Sequence, residues 1–442
     1  MKVNAIIAEY NPLHKGHEYL IQRGKELTGA DYTVVIMSGN YVQRGEPAVM
    51  DKSLRVESAL LAGADLVIEL PLYYSLASAE YFAKGAVKLV DSLGIADYLV
   101  FGCEYDNIDL LTDIAMLSIE HEKEYYELIV KYMSEGNSYP KSESLAIFDI
   151  LSSAASDSSS DDTCNRGYDV LSGYSPSEIA EILAAPNSTL AVCYLKSLIS
   201  LNARLEPVAV KRIVSDYNDL SLGALSSSAV RKELIDKNYA PLKNQFSEYI
   251  YELMSENIEI NYPVGLDEYS DILIYKLRSL IYGNGGRLKA SGILALTEYL
   301  DVSEALAGRI INNLNEYKSF SQFVALLKTK SVTYSHISRA LMHIVLDIKK
   351  SNSIKYINNN FSLYARILGF RKASAELLTE MKYNAAIPVI SKLADAEEVI
   401  EDALTLKHLN ESVNASELYG SLVSAKFNCP FTPEHASQII IL

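Results

Sequence analysis

The chain has 442 residues, of which 49% are hydrophobic and 22% charged, and its formal net charge is −16. This length exceeds one ordinary hydrophobic core, since domains usually hold about 100 to 200 residues, so two or three domains are expected. The acidic total argues against indiscriminate binding of nucleic acid, which requires clustered lysine and arginine. The apolar runs are too short for a signal-peptide core or a membrane span, so we expect a cytoplasmic protein without membrane contact.

The cysteines are far apart and lack C-x-x-C spacing: Cys103, Cys164, Cys193 and Cys429. This pattern is typical of reduced thiols in a cytosolic protein. It indicates neither a disulfide framework nor a zinc site.

Up to residue 213 the chain alternates apolar runs with segments of helical period. The predicted strands are VNAIIAEY (3–10), DYTVVIMSGN (31–40), ADLVIELP (64–71), ADYLVFGCE (96–104) and EPVAVKRI (206–213). The predicted helices between the first four are 17–30, 50–64 and 79–95, each with glycine at or near its end. Because uninterrupted Val- and Ile-rich runs suit strands covered on both faces, residues 1–240 are predicted to form a Rossmann-like α/β domain with a doubly wound parallel sheet.

Two segments depart from this alternation of predicted strands and helices. Residues 141–176 are rich in Ser, Asp and Gly, so they are predicted to form a mobile loop or insertion. After about residue 240 the strand signal disappears, and seven segments show amphipathic helical period. Residues 241–442 are therefore predicted to form a mainly α-helical domain.

The stretch EYNPLHKGHEYL, Glu9 to Leu20, places His14 and His17 around a glycine directly after the first predicted strand. Three interpretations are open: surface histidines, a metal site or a phosphate site. A metal needs more ligands, and the other five histidines show no clustered spacing with this pair. The phosphate site gains from context, because a helix N-terminus after the first strand of an α/β sheet offers free N–H groups and imidazoles can stabilise the charge that develops on phosphate.

A second motif, LSSSAVRKEL, lies at 225–234. Its serines Ser226, Ser227 and Ser228 can cap a helix, and Arg231 one turn later can reach an anion at the helix start. Alone it is more typical of an ordinary capped helix with a surface arginine. Together the two motifs resemble the H-x-G-H signature and the Ser/Thr-rich turn of the nucleotidylyltransferase and class I aminoacyl-tRNA synthetase superfamily. The candidate catalytic residues are His14, His17 and Arg231.

Longer segments resemble one family within this superfamily. They include AEYNPLHKGHEYL, SGNYVQRGEPAVMDKSLRVESALLAGADLVIELP, SAEYFAKGAVKLV, FGCE, PNSTLAVCYLKSL, VKRI, KTKSVTYSHISRALMHIVLDI and LYARILGFRKASAELL. They are similar to the bacterial tRNA(Met) cytidine acetate ligases. The resemblance implies that ATP and acetate form acetyl-adenylate, and that the acetyl group then passes to N4 of the wobble cytidine of elongator tRNA(Met), giving N4-acetylcytidine. It implies tRNA, acetate and ATP as partners, and no obligate protein partner is evident.

The resemblance also implies which residues bind ATP. They are Ile7, Ala8, Glu9, Tyr10, Asn11, Pro12, Leu13, His14, Lys15, Gly16, His17, Glu18, Tyr19 and Leu20, with Gly102, Asn187, Arg212 and Ser227. Neither chemical step requires a protein nucleophile, because positioning and charge neutralisation dominate adenylyl transfer. Mg²⁺ is expected with ATP, but no carboxylate cluster in the sequence identifies its ligands.

The stretch SGNYVQRGEPAVMDK, 38–52, follows the second predicted strand towards the same sheet edge. We hypothesise that it lines the acetate or cytidine pocket through Ser38, Gly39, Gln43, Arg44 and Lys52. An ordinary polar connection leading to a helix start at Asp51 is an equally good interpretation.

A local basic stretch offers a surface for tRNA. Between Lys318 and Lys372 there are ten basic residues and one acidic residue, a local charge of +9. Tyr334, His336 and Tyr356 add possible stacking surfaces, although a solvated helical face is the common alternative. The candidate tRNA-binding residues are Lys328, Lys330, Arg339, Arg371 and Lys372.

Two other functions fit parts of these patterns. A small-molecule adenylyltransferase acting on a phosphorylated metabolite would use the same two motifs, but does not require the large helical domain with its basic stretch. A non-enzymatic RNA-binding protein with a vestigial nucleotide fold is the third class.

Overall fold

A mixed eight-stranded sheet forms the centre of the computed structural model, which describes residues 1–156, 170–212, 226–283, 289–329 and 332–442. Its strands are β1 (Val3–Ala8), β2 (Tyr32–Ser38), β5 (Leu66–Leu70), β6 (Tyr98–Cys103), β7 (Glu206–Lys211), β8 (Ala365–Phe370), β9 (Val389–Ile390) and β10 (Ile440–Ile441). A separate hairpin consists of β3 (Tyr41–Val42) and β4 (Glu46–Pro47).

Helices occupy most of the remaining described residues. Up to β7 they are α1 (Lys15–Thr28), α2 (Lys52–Leu61), α3 (Leu72–Ser75), α4 (Ala79–Leu93), α5 (Ile108–Glu120), α6 (Glu122–Ser134), α7 (Tyr139–Ser156), α8 (Pro176–Ala184) and α9 (Pro186–Ser200). After β7 they are α10 (Ser227–Ile235), α11 (Glu248–Asn257), α12 (Ser270–Tyr282), α13 (Lys289–Thr297), α14 (Glu304–Asn313), α15 (Phe320–Leu327), α16 (Tyr334–Val345), α17 (Lys350–Asn358), α18 (Ala375–Asn384), α19 (Ala396–Val399) and α20 (Ala403–Phe427).

The five predicted strands of the first part form the parallel core of the sheet, in the order β5-β2-β1-β6-β7. Both faces of β2 are buried: Val34 and Ile36 pack into one hydrophobic core, whereas Val35 and Met37 pack into a second. The doubly wound α/β class is thus confirmed. The predicted glycine stops are also present, since α1 and α4 end at left-handed Gly29 and Gly94.

The segment predicted as a loop at 141–176 is partly helical. Helix α7 spans 139–156 and buries Ala146, Ile147 and Ile150 in the first core, and α8 begins at Pro176. The prediction failed here because serines also occur on buried helix faces, and Ser144 donates its hydroxyl hydrogen to the carbonyl of Pro176. The remaining part of this prediction, 157–169, lies outside the described residues.

The part after residue 240 is mainly α-helical, as predicted, but it also contains strands although the strand signal of the sequence ends there. Strand β8 pairs antiparallel with β5, and β9 and β10 pair with β8, so the C-terminal part of the chain completes the same sheet. The short run ARILGF contains Arg366, whose charge is buried by ion pairing rather than exposed. That pairing is invisible in a hydrophobic pattern, which explains why the run was not recognised as a strand.

The predicted helices of the second part are present, and α12 to α16 enclose a third core that also includes Tyr41 and Leu72 from the first part. Contact between the two parts is close at Gly45 in the β3–β4 hairpin. Its φ is +82°, and a Cβ there would lie 2.3 Å from the backbone nitrogen of Arg339, so the hairpin needs glycine at this point. Ser338 Oγ also donates to the carbonyl of Gly45 at 2.7 Å.

Among the described residues, no single helix is both long and apolar enough to cross a membrane. Helices α8 and α9 satisfy the length and composition criteria only as a pair, and they are bent by 94° at their junction.

Candidate active site

The candidate site lies at the carboxyl edge of the parallel strands, where the strand order reverses between β1 and β6. Ligands of open α/β sheets bind at such a switch point. His14 follows β1, Gly102 lies on β6 and Arg212 directly follows β7. Three of the residues selected from sequence therefore converge on one crevice.

The two histidines of the first motif cap helix α1 reciprocally. His14 Nδ1 accepts a hydrogen bond from the Gly16 amide at 3.1 Å, and His17 Nδ1 accepts one from the His14 amide at 3.2 Å. The two rings are in contact, with 4.0 Å between their centroids and 30° between their planes. A capping box normally uses Ser or Thr with Glu or Gln; an imidazole has a second ring nitrogen, which can make a contact outside the cap.

The protonation of both rings follows from their surroundings. Burial, and then the positive charge of Arg212, lower the pKa of His14 to about 4. Burial, followed by His14 and Arg212, lowers the pKa of His17 well below its usual value. Both rings are therefore neutral at pH 7. Since each Nδ1 accepts a hydrogen bond, each proton must reside on Nε2.

The two Nε2–H groups have different environments. His14 Nε2 lies 2.9 Å from Ser227 Oγ, to which it donates in this tautomer. His17 Nε2 has no hydrogen-bond partner among the described residues, and Tyr10 packs edge-on against the ring with 5.1 Å between centroids. His17 thus presents one neutral, preoriented donor to the crevice.

The second motif is brought to the first. Ser226 caps α10 by accepting from the Ala229 amide, which leaves Ser227 free to meet His14. Arg231 Nη1 donates to the carbonyl of Asn11 at 2.9 Å, and its Nε lies 3.8 Å from Glu46. Arg231 therefore fixes the turn between β1 and α1 as well as adding positive charge beside it.

Gly102, Arg212 and Asn187 form the other side of the crevice. The Arg212 amide donates to the carbonyl of Cys103 at 2.9 Å, and the arginine stem lies over Gly102, where an added Cβ would be 3.5 Å from Arg212 Cγ. Asn187 is in the first turn of α9, and its Nδ2 donates to Glu104 Oε1. Glu104 was missed as a site residue, although FGCE was noted as a motif.

The remaining residues of the first motif shape the turn. Ile7 and Ala8 end β1, and Tyr10 adopts a left-handed conformation with φ 47°. Asn11 Oδ1 accepts from the Val49 amide at 2.8 Å, and Pro12 and Leu13 are buried. Lys15 is exposed. Glu18 accepts from Ser247, while Tyr19 and Leu20 pack into the second core.

Most of the predicted acetate or cytidine pocket lies at the same edge. Ser38 ends β2, and its buried hydroxyl has no hydrogen-bond partner within the described part of the chain, while a Cβ at Gly39 would clash with Glu69. The amide of Gln43 donates to Glu9 Oε1 at 2.9 Å. Arg44 is exposed at the hairpin tip, 3.4 Å from Ser228 Oγ.

Lys52 has a different environment from the one predicted. Its ammonium is buried between Glu69 at 3.1 Å and Glu434 at 2.7 Å, and Arg366 pairs with the same two carboxylates. A lysine held in this closed network of four charges is not a free anion-binding group. Glu69 is 17 residues away, but Glu434 and Arg366 lie more than 300 residues further along the chain, so the sequence pattern could not reveal this role.

Arg55 is a second residue that sequence reasoning missed. It is fully buried and donates to the carbonyls of Glu9, Ser38, Gly39 and Met50. It therefore ties together the chain segments that leave β1 and β2 at the site edge. The available signal was an arginine on the apolar face of a predicted helix.

The predicted tRNA-binding residues do not form one surface. Lys328 is exposed just after α15, whereas Lys330 lies outside the described residues. Arg339 is buried, pairs with Asp301 at 3.0 Å and reaches towards the carbonyl of Gln43. Direct contact of Arg339 with RNA is therefore contradicted.

Arg371 and Lys372 lie at the opposite sheet edge from His14. They follow β8, which runs antiparallel to β5 and ends beside Leu66 at the start of that strand. Tyr356, predicted as a stacking surface, is instead buried and stacks on His408 with 4.3 Å between ring centroids. Tyr334 and His336 are partly exposed at the start of α16.

No group of three or more His, Cys, Asp or Glu side chains within the described ranges is arranged to hold a metal ion. The expected Mg²⁺ accordingly stays a prediction without named protein ligands.

Comparison with known proteins agrees with the geometry. The family model described as HIGH Nucleotidyl Transferase matches residues 1–431. The tRNA(Met) cytidine acetate ligase of Thermoanaerobacter sp. (strain X514) is 35% identical over 422 residues, which cover 95% of each chain. Its namesake from Clostridium acetobutylicum is 35% identical over 443 residues, with full coverage of both.

The fold is also similar to a solved structure, that of Thermotoga maritima TmcAL bound with alpha-thio ATP. The TM-score is 0.85 at 27% sequence identity, and the match covers 100% of each chain. The apo form of the same protein gives the same TM-score at 28% identity. The family predicted from the motifs is confirmed: the chain belongs to the tRNA(Met) cytidine acetate ligase family of HIGH nucleotidyl transferases.

Proposed function

We propose that this protein is an ATP-dependent ligase that acetylates a tRNA cytidine. ATP and acetate form acetyl-adenylate and pyrophosphate, and the acetyl group passes to N4 of the wobble cytidine of elongator tRNA(Met). The names of the full-length relatives support this function, as does the ATP analogue named with the similar structure.

The observation that best supports adenylate formation is the His14–His17 pair at the N-terminus of α1. Both rings are neutral, and hydrogen bonds fix both tautomers so that each Nε2 is a donor. A neutral fixed donor at a helix N-terminus suits a site where negative charge increases on phosphate during the reaction.

In the first step, an acetate oxygen attacks the α-phosphorus of ATP while the bond from that phosphorus to the bridging oxygen breaks. Pyrophosphate leaves with the bond electrons. We assign His17 Nε2–H to the oxygens that gain charge in this transition state. His14 would act through Ser227, which it fixes at the start of α10. Arg212 and Arg231 would neutralise the phosphates.

In the second step, the N4 amine of cytidine attacks the acetyl carbonyl, AMP leaves and the amine loses one proton. The hairpin 41–47 is well located for this acceptor, because Gln43 and Glu46 contact the nucleotide edge while Gly45 contacts α16. We assign Ser38, Gly39, Gln43 and Arg44 to the acetate or cytidine pocket. Lys52 is left out because its charge is already paired.

The proposed tRNA surface begins at Lys328 and Lys330 and continues to the start of α16. The charge of Glu46, after burial, contributes to raising the pKa of Tyr334 to about 12, so this region is near the hairpin. Arg371 and Lys372 would contact only a distant part of a large RNA. Mg²⁺ would enter with ATP on its phosphates. Because the RNA substrate is cytoplasmic, we assign the protein to the cytoplasm.

The test is ATP–pyrophosphate exchange with and without acetate, followed by addition of tRNA and mass spectrometry of its nucleosides. The proposal predicts exchange that depends on acetate, and N4-acetylcytidine in elongator tRNA(Met). Exchange at the same rate with and without acetate would instead support an adenylyltransferase for a small phosphorylated metabolite. Absence of any exchange, with tRNA still bound, would support a non-enzymatic RNA-binding protein.

A further inference from the structure

Glu104 supplies a helix cap from another element. Helix α9 begins after Ala185, whose side chain cannot cap, and no side-chain cap bond is present there from its own segment. Glu104, directly after β6, accepts from the Ser188 amide at 3.0 Å and from Ser188 Oγ at 3.3 Å. A carboxylate at this position satisfies a free N–H group and interacts favourably with the helix dipole.

The same carboxylate fixes the amide of Asn187. Glu104 Oε1 accepts from Asn187 Nδ2. Since a carboxylate can only accept hydrogen bonds, the NH₂ group of Asn187 must face Glu104 and its Oδ1 must face away. No described residue donates to this Oδ1, and Asn187 is only partly buried.

We propose that Glu104 is a positioning residue that presents Asn187 Oδ1 to the nucleotide as a hydrogen-bond acceptor. This inference rests on the proposed use of ATP, and it specifies the partner's chemistry: a donor on the adenosine moiety. The donors available are the two ribose hydroxyls and the N6 amine. Phosphate oxygens are excluded as partners of Asn187 Oδ1, because they are acceptors too.

The first experiment measures acetate-dependent ATP–pyrophosphate exchange in wild-type protein, Glu104→Gln and a control, Glu206→Gln. Glu206 is exposed on β7 at the amino end of the same sheet, and its side chain makes no contact with the crevice. Glutamine at 104 offers an NH₂ group to which Asn187 can turn its Oδ1, so the acceptor is withdrawn from the nucleotide. We expect KM for ATP to rise roughly 10- to 100-fold with little change in kcat, and the control to match wild type.

The second experiment identifies the donor with 2′-deoxy-ATP, 3′-deoxy-ATP and the triphosphate of purine riboside, which lacks the N6 amine. In wild-type protein one analogue should lose roughly 10- to 100-fold in kcat/KM. In Glu104→Gln the same analogue should lose at most about 3-fold relative to ATP, because the interaction is already absent. Asn187→Ala, which leaves the cap on Ser188 intact, should give the same pattern even if Glu104→Gln does not fold.

Outcomes separate this inference from the proposed function. If wild-type protein shows no acetate-dependent exchange, the proposed function fails. If wild-type protein exchanges normally and both variants keep the wild-type KM for ATP, only the role of Glu104 is overturned. An analogue loss of equal size in wild type and in folded variants would overturn it as well, since Asn187 would then not contact the missing donor.

Discussion

Replacing His17 tests the chemistry assigned to the first motif most sharply. His17→Ala removes two functions: the Nε2–H donor and the Nδ1 acceptor that caps the His14 amide. His17→Gln is the matched variant, because a glutamine at the third helical position can accept from the same amide and still offer an NH₂ donor.

The expected magnitudes differ for the two functions. One preorganised donor to a transition-state oxyanion contributes about 2.7 to 4 kcal/mol, so His17→Ala should lower kcat for adenylate formation by roughly 10²- to 10³-fold. Loss of the cap costs about 0.5 to 2 kcal/mol of folding stability. His17→Gln should keep the stability and lose less of the rate.

The assay is ATP–pyrophosphate exchange at saturating acetate, combined with urea unfolding of each variant. Because the pKa of His17 is lowered well below its usual value, the wild-type rate should show no His17 titration between about pH 6.5 and 8. tRNA affinity should be equal in all three proteins.

A normal exchange rate in folded His17→Ala would refute the assignment and leave the histidine as a helix cap. An equal fall in exchange rate in His17→Gln and His17→Ala would show that the reaction requires the geometry of the imidazole, and that an NH₂ donor at this position does not replace it.

Three further predictions concern the rest of the molecule. Burial lowers the pKa of His408 to about 4, so as the pH falls this histidine is protonated in the unfolded protein before it is protonated in the folded protein. The contribution to folding stability should be fully present above about pH 6.5 and should fall by about 3 kcal/mol as the pH drops towards 4. His408→Asn should reduce this pH dependence in urea titrations. Glu434→Gln leaves the buried Lys52 without its nearer partner and should cost about 3 to 5 kcal/mol of stability by urea unfolding; a loss below about 1 kcal/mol would mean that the ion network is not closed. Replacing Lys328 and Lys330 by Glu should weaken tRNA binding and reduce the slope of log Kobs against log salt concentration by about 1 per lost phosphate contact, whereas Lys123→Glu on helix α6 should not. Unchanged binding would show that tRNA does not contact Lys328 and Lys330.

The parallel core was predictable because its strands are buried on both faces, so sequences such as YTVVIMS are apolar throughout. The convergence of His14 and Arg231 was also accessible, since each motif stands at the start of a helix that follows the sheet. These features depend on local sequence and on the rule that parallel strands align their carboxyl ends.

Other features depend on partners distant in sequence. Arg366 and Lys52 are buried because they pair with Glu69 and Glu434 in the folded protein. No periodic pattern in the sequence predicts that these four residues come together. The sequence placed Glu104 in a motif but did not predict its role, because Glu104 caps a helix that begins more than eighty residues later. A hydrophobic pattern predicts burial of apolar groups but not burial of paired charges.

The most direct test of the central claim is to incubate the protein with ATP, isotopically labelled acetate and elongator tRNA(Met), then digest the RNA and analyse its nucleosides. We expect labelled N4-acetylcytidine at the wobble position, dependent on ATP and formed roughly 10²- to 10³-fold more slowly by His17→Ala at equal protein concentration. Labelled adenylate without labelled cytidine, at confirmed tRNA binding, would contradict the assigned acceptor.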